Sequence, residues 1–147
     1  RRHTRYISVT GVQTCCSSDL GRTTDATLTT IATDGSNGIN RSNLMQLPLN
    51  STFRFKGTVI GRQSGSTNTA AWDVDGLLTK GTSHGTTVLV IGNVNLVSNA
   101  SAWGTPVLSV FNDAFNGVGG LRLQVQGLAA TNIQWTAILE TTEVIYA

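Results

Sequence analysis

Leu121 to Gly127 reads LRLQVQG and Asn132 to Tyr146 reads NIQWTAILETTEVIY, and these two stretches decide the fold class. Apolar and polar residues alternate in both, which is the period of a β-strand with one buried face. The four-residue connection between them, LAAT, predicts that the two strands form a hairpin. The residues expected to face the core are Leu121, Leu123, Val125, Ile133, Trp135, Ala137 and Leu139.

The same alternation recurs upstream, in Ser51 to Gln63 (STFRFKGTVIGRQ) and in Ala70 to Lys80 (AAWDVDGLLTK). The polar turn Ser64 to Asn68 (SGSTN) between them predicts a second hairpin. The residues expected to face inwards in these two strands are Phe53, Phe55, Gly57, Val59, Trp72, Val74, Gly76 and Leu78.

Four further runs complete the pattern. Ala26 to Thr33 predicts a first strand, and Asn43 to Leu49, which contains Pro48, predicts an edge piece or an irregular entry to the next strand. Thr87 to Leu96 and Trp103 to Phe111 predict strands whose two faces are both partly covered. Together these runs predict an all-β chain that folds as an antiparallel, jelly-roll-like β-sandwich of about seven to eight strands.

The first twenty residues, RRHTRYISVTGVQTCCSSDL, differ in character from the rest of the chain. They contain both cysteines and resemble the translated read-through of a sequencing-library adapter, although a genuine basic arm is the alternative. We therefore expect residues 1–21 to be an artefactual or disordered N-terminal segment. Residues 22–147 are expected to form a single β-sandwich domain, the C-terminal domain of a longer protein.

Composition and charge argue against two classes of partner. From Arg22 onwards seven Lys and Arg residues balance seven Asp and Glu residues, so the net charge of +2 comes from the N-terminal segment. A nearly neutral domain gives no support to nucleic-acid binding. No run of about 18 apolar residues is present, so membrane insertion is not expected either.

Few residues are candidates for chemistry, and the sequence predicts neither an enzyme nor a cofactor or metal centre. His84 lies in a glycine-flanked turn and is expected to be an exposed loop residue rather than a catalytic base. Asp73 and Asp75 share one face of a strand, where they could contribute oxygens to a Ca²⁺ site or simply face solvent. Trp103 precedes a glycine at the start of a strand, so it is expected to be partly exposed and to serve a ligand or a subunit interface.

Four strand motifs carry a resemblance to a family. They are FRFKGTVIGR (53–62), AWDVDGLLTKG (71–81), GLRLQVQG (120–127) and IQWTAILETTEV (133–144). Their order, over about residues 25 to 147, resembles a C-terminal domain of bacteriophage and prophage tail and tail-fibre-like proteins. The resemblance implies a structural domain of the virion, oligomeric and commonly trimeric, in contact with other tail proteins. It supplies no catalytic residues.

The expected partners are therefore other copies of the chain, other virion tail proteins and a host cell-surface glycan. Apolar residues predicted to face outwards, Ile138, Leu77, Leu108 and Val110, favour self-association. A carbohydrate-binding module or a tailspike-associated glycan-binding domain remains the alternative function.

Overall fold

The computed structural model describes residues 17–36, 38–40, 43–99 and 101–145. Almost all of the regular structure in these ranges is β, and no helix in them is long and apolar enough to cross a membrane. The strands are β1 (Ser17–Thr23), β2 (Leu28–Ile31), β3 (Met45–Gln46), β4 (Ser51–Gln63), β5 (Thr69–Lys80), β6 (Val88–Asn99), β7 (Gly104–Asp113), β8 (Val118–Gln126) and β9 (Ile133–Ile145), with a single 3-10 turn at His84–Thr86 between β5 and β6.

Two antiparallel sheets pack against each other, so the predicted β-sandwich is confirmed. The large sheet has the order β1-β9-β4-β5-β6. In the small sheet, β8 is central; β2 and β3 pair with successive parts of one edge of β8, and β7 pairs with the other edge. Strands β4, β5 and β6 form a meander, whereas placing β9 between β1 and β4 requires long Greek-key-type connections.

The predicted hairpin of the last two strands is wrong, although the predicted inward faces are right. Strand β8 lies in the small sheet and β9 in the large one, so the connection between them crosses from one layer to the other. A period of two records only that one face is buried. It is the same for two strands that pair side by side and for two that face each other across a core.

The core lies between the sheets and is formed by the alternating residues that the sequence indicated. Every residue expected to face inwards on β8 and β9 is buried. On β4 and β5 the same holds except for Gly57, which is half-buried. The hairpin of β4 and β5 is also confirmed, with twelve register pairs from Ser51↔Lys80 to Arg62↔Thr69.

The N-terminal boundary predicted between residues 21 and 22 falls inside β1. Residues 17–23 pair with residues 133–139 of β9, and the backbone N–H of Leu20 donates to the carbonyl of Ala32 over 3.0 Å. Gly21 permits this packing, since a Cβ there would lie only 2.3 Å from the Ile31 side chain. The sandwich as described therefore begins at Ser17, while residues 1–16 lie outside the described ranges.

Strand β7 corrects a second expectation. Leu108 and Val110, predicted to face outwards, pair in register with the inward-facing Leu123 and Leu121. Both are partly buried against the core. The prediction that these two residues face outwards is therefore wrong, because the apolar run of this strand does not alternate clearly and cannot fix which face is inward.

Candidate ligand and assembly surfaces

Asp73 and Asp75 lie on the outer face of the large sheet, as predicted, and each has partners on a neighbouring strand. An oxygen of Asp75 lies 2.9 Å from a guanidinium nitrogen of Arg54 on β4, and it accepts a 3.3 Å hydrogen bond from the amide of Asn93 on β6. Asp73 accepts a 3.1 Å hydrogen bond from the Thr58 hydroxyl. These are cross-strand pairs, worth a few tenths to about 1 kcal/mol each.

The same contacts argue against a Ca²⁺ site at Asp73 and Asp75. A Ca²⁺ ion takes six to eight oxygen ligands, and Arg54 occupies the position beside Asp75 with a positive charge. Within the described ranges, no three His, Cys, Asp or Glu side chains converge as metal ligands would. The pair is thus explained by the packing of strands β4, β5 and β6.

Trp103 is buried, not partly exposed as predicted: only 3% of its surface is accessible. Its backbone N–H donates to Asn99 Oδ1 over 3.0 Å, and its carbonyl accepts from Asn99 Nδ2 over 2.8 Å. This closed loop, in which Ala102 has a left-handed φ of 53°, turns the indole inwards. The ring packs edge-on against Trp135, with centroids 5.6 Å apart, so it cannot stack on an external sugar.

The space for this indole is provided by Gly61 on β4. A Cβ at that position would lie 2.7 Å from Trp135 and 2.9 Å from Trp103. In the sequence, Gly61 stands out only as part of the motif 53–62. Strand periodicity within one segment cannot connect it with Trp103, which lies some forty residues further along the chain. The burial of Trp103 was therefore not predictable from its own neighbours.

His84 belongs to a buried polar cluster that the sequence did not reveal. It is half-buried, and its Nδ1 lies 3.1 Å from Nζ of Lys80, of which only 2% is accessible. The Lys80 ammonium also donates to the carbonyl oxygens of Leu47 and Gly119, the latter over 2.8 Å. Because burial disfavours the charged form, the pKa of Lys80 is lowered.

The contacts of the Lys80 ammonium connect three parts of the fold: the segment before β4, the start of β8 and the 3-10 turn after β5. Lys80 occupies the inward-facing position that follows Trp72, Val74, Gly76 and Leu78 on β5. The period of two could have identified it, since it extends one step beyond the last apolar residue.

Glu143 is a comparable inward-facing charge at the end of β9. One of its carboxylate oxygens is buried and has no hydrogen-bond partner. Burial accordingly raises the pKa of the Glu143 carboxyl above its ordinary value. The alternation from Ile133 to Leu139 continues through Thr141 to this residue, so its inward position was also contained in the sequence pattern.

A polar cleft of about 700 Å³ lies at the end of the β4–β5 hairpin, and the sequence did not indicate it. Its lining includes Arg62, Gln134 and the hairpin turn 63–67. On the outer face of the sheet Gln134 pairs in register with Arg62 on one side and Arg22 on the other. Both arginines are exposed, and neither forms an ion pair with a described carboxylate.

Strand β6, at the other end of the large sheet, exposes its apolar residues. Leu96 and Val97 are 64% and 60% accessible, and Val88, Val90 and Ile91 are each more than half accessible. Sequence analysis predicted both faces of this strand to be partly covered, but only Leu89 and Val94 pack against the core. The small sheet is narrower than the large one and does not extend over the whole of β6.

The structure thus keeps Asp73 and Asp75 together on the outer face of the large sheet and places Trp103 on its opposite, core side. In a scan against protein-family models no family matches this chain, and no curated protein matches it either.

Proposed function

We propose that this chain is a structural domain of a bacteriophage virion, at a tail or tail-fibre tip, where it self-associates and attaches the particle to the host surface. Its partners would be further copies of itself, neighbouring tail proteins and a host cell-surface glycan. The resemblance in strand order supports the virion context, and its four motifs coincide with β4, β5, β8 and β9.

The observation that carries the proposal is the amount of aliphatic surface left in contact with water. Among the described residues fifteen large apolar side chains are exposed, and five of them lie together on β6. Each Å² of apolar surface removed from water contributes about 25 cal/mol. Large exposed apolar patches on soluble proteins generally mark interaction sites. The resemblance implies an oligomer, trimeric or of another order.

Attachment can be tested with the fluorescently labelled chain on cells of a panel of bacterial strains. We expect saturable binding to a subset of strains without release of soluble sugar, because attachment needs recognition but not turnover. The Trp135→Ala variant, which removes one of the largest fully buried side chains, serves as a misfolding control. Absence of binding to every strain, or release of shortened saccharide, would contradict the proposal.

A glycan-binding module is the second candidate, and the polar cleft at the β4–β5 hairpin favours it. Unpaired arginines and neighbouring amides are donors that suit carboxylate or hydroxyl groups of a saccharide. On a glycan array, Arg62→Ala would abolish binding through this cleft. Lys56→Ala, an exposed change elsewhere on the same sheet face, is the control. A monomeric chain whose glycan binding depends on Arg62 would favour this function over the virion one.

A further inference from the structure

We infer that β6 is a docking edge for a second copy of this chain. Two copies would pair through their β6 strands, antiparallel and across a twofold axis near Val94, and so join their large sheets into one continuous sheet. This inference rests on the self-association in the proposed function and specifies its surface and symmetry.

The first support is that the edge carries neither charge nor proline. β6 is the last strand of the large sheet, and among the described strands it pairs in register only with β5. Edge strands in monomeric proteins are commonly blunted by charged residues or proline. The twelve residues of β6, VLVIGNVNLVSN, contain neither.

The second support is the position of the irregularities in the strand. Val90 and Val97 are the extra residues of two register shifts against β5, one near each end of β6. Bulges bend a strand and interrupt further pairing. Between them, Ile91 to Leu96 keeps a regular register with β5 and is the length of strand available to a partner.

The third support is that this stretch is complementary to itself. With Val94 opposite Val94 of the second copy, Asn93 lies opposite Asn95 on the outer face and Gly92 opposite Leu96 on the inner face. Amide then meets amide, and the exposed Leu96 side chain of one copy lies beside Gly92 and the Leu89 and Leu108 side chains that pack over it in the other. Directly opposite pairs of this kind stabilise antiparallel strands.

Complementarity also explains why a second copy, rather than an unrelated strand, is the expected occupant. A twofold axis perpendicular to the sheet places residues of equal parity opposite each other, so inner faces remain on one side and outer faces on the other. Ile91 and Val97, at the margins of the stretch, would then also face each other. No like charges oppose each other anywhere along the contact, because β6 carries none.

Disulfide trapping tests the axis directly. In the full chain with Cys15→Ser and Cys16→Ser, Val94→Cys places two thiols opposite each other across the axis. Opposed residues on antiparallel strands have Cα atoms about 4.5–5.5 Å apart, within the range that a disulfide spans. We expect most of the Val94→Cys protein to cross-link as a dimer on mild oxidation. Ile138→Cys, exposed on the same sheet but away from β6, should not form the cross-link.

Sedimentation velocity over a concentration series separates this inference from the wider proposal. Asn93→Lys combined with Asn95→Lys sets like charges against each other across the axis while leaving the core unchanged. It should raise the dimer dissociation constant at least about tenfold, a modest effect for opposed like charges. Ile138→Lys with Val144→Lys, two exposed changes on the same face whose register partners are uncharged, is the control and should leave the constant unchanged.

A dimer that is lost only in the Asn93/Asn95 variant supports the inference. A trimer, or a dimer that both double variants retain, overturns the β6 contact but leaves self-association standing. A monomer at all concentrations overturns both the inference and the self-association on which it rests.

Discussion

The central strands of the large sheet and its β6 edge are built from the same kinds of residue but have opposite environments. From Ile133 to Leu139 on β9, and along β4 and β5, the inward-facing aliphatic and aromatic side chains are buried, with Phe55, Val59 and Ile133 inaccessible to water. Along β6 most of the valine, leucine and isoleucine side chains are exposed. Part of the difference lies in the face of the sheet, since Val88 and Ile91 pair in register with the outer-face residues Thr79 and Leu77. The rest lies in the layer opposite, because β7 of the small sheet packs over Gly92 but leaves the inward-facing Leu96 exposed. An apolar strand is therefore buried only where a second layer, or a second molecule, covers it.

The largest expected difference between the two regions is in the free energy of unfolding. Trp135→Ala should lower it by about 3 to 5 kcal/mol, because it leaves a cavity beside Trp72 and Trp103 and removes the 2.9 Å hydrogen bond from the indole to Thr23. Ile91→Ala on β6 should change it by no more than about 0.5 kcal/mol, as for most surface substitutions. Urea unfolding of the dilute protein measures both, and equal effects would remove the distinction between centre and edge.

Much of this distinction could not be read from the sequence. The alternation in β4, β5, β8 and β9 predicts the buried faces correctly, because a period of two depends only on burial. It does not record which sheet a strand joins, so β8 and β9 were predicted to pair. It also cannot show that β6 is the last strand of the large sheet, which depends on contacts between residues far apart in the chain.

The candidate site was less predictable than the fold. The positions of Asp73 and Asp75 follow from strand geometry, and the structure adds only their partners. The burial of Trp103 depends on the space over Gly61, and the cleft is formed where the turn after Arg62 meets Gln134 of β9. Both arrangements join residues that are distant in sequence, and no local pattern reports them.

The opposite edge of the large sheet provides the next test, since β1 covers it where β6 leaves it open. Deleting residues 1–20 should lower the free energy of unfolding by about 2 to 4 kcal/mol, because four register pairs with β9 and the Leu20 to Ala32 hydrogen bond are lost. Deleting residues 1–16 leaves those pairs in place and is the control. Identical stabilities of the two truncated chains would show that β1 contributes nothing to the sandwich.

A smaller effect on stability is expected at Lys80, the last inward-facing residue of β5. Lys80→Met should lower the free energy of unfolding at neutral pH by about 1 to 3 kcal/mol, because the Leu47 carbonyl loses the ammonium donor and the Gly119 carbonyl keeps only the backbone N–H of Leu47. Lys56→Met, an exposed change on β4, is the control. A variant as stable as the wild type would mean that water or another donor replaces the ammonium group.

The same lysine predicts a pH dependence. Its lowered pKa means that the folded protein releases the proton before the unfolded chain does as pH rises. Stability should therefore increase through the alkaline window between the folded pKa and the ordinary lysine value, where the unfolded state binds more protons. Lys80→Met should lack this increase, and parallel pH profiles for the two proteins would argue against a buried cation.

The smallest effect is expected at the end of β9. The raised pKa of Glu143 means that the folded state retains a proton that the unfolded chain releases, so stability is lost as pH rises from the ordinary glutamate value through the folded one. Glu143→Gln removes this titration. The stability of the variant relative to the wild type should therefore improve between acid and neutral pH, and a difference that stays constant over this range would contradict a buried carboxyl at this position.

The central claim is that a second molecule covers β6 where the small sheet does not, and concentration-dependent hydrogen exchange tests it most directly. Backbone N–H groups between Ile91 and Leu96 that point away from β5 should exchange more slowly as the protein concentration is raised from below to above the dissociation constant. Pairing with a second copy would protect them. Amides of β4, already paired on both sides, should not change. Exchange of β6 amides that is equally fast at every concentration would contradict the account.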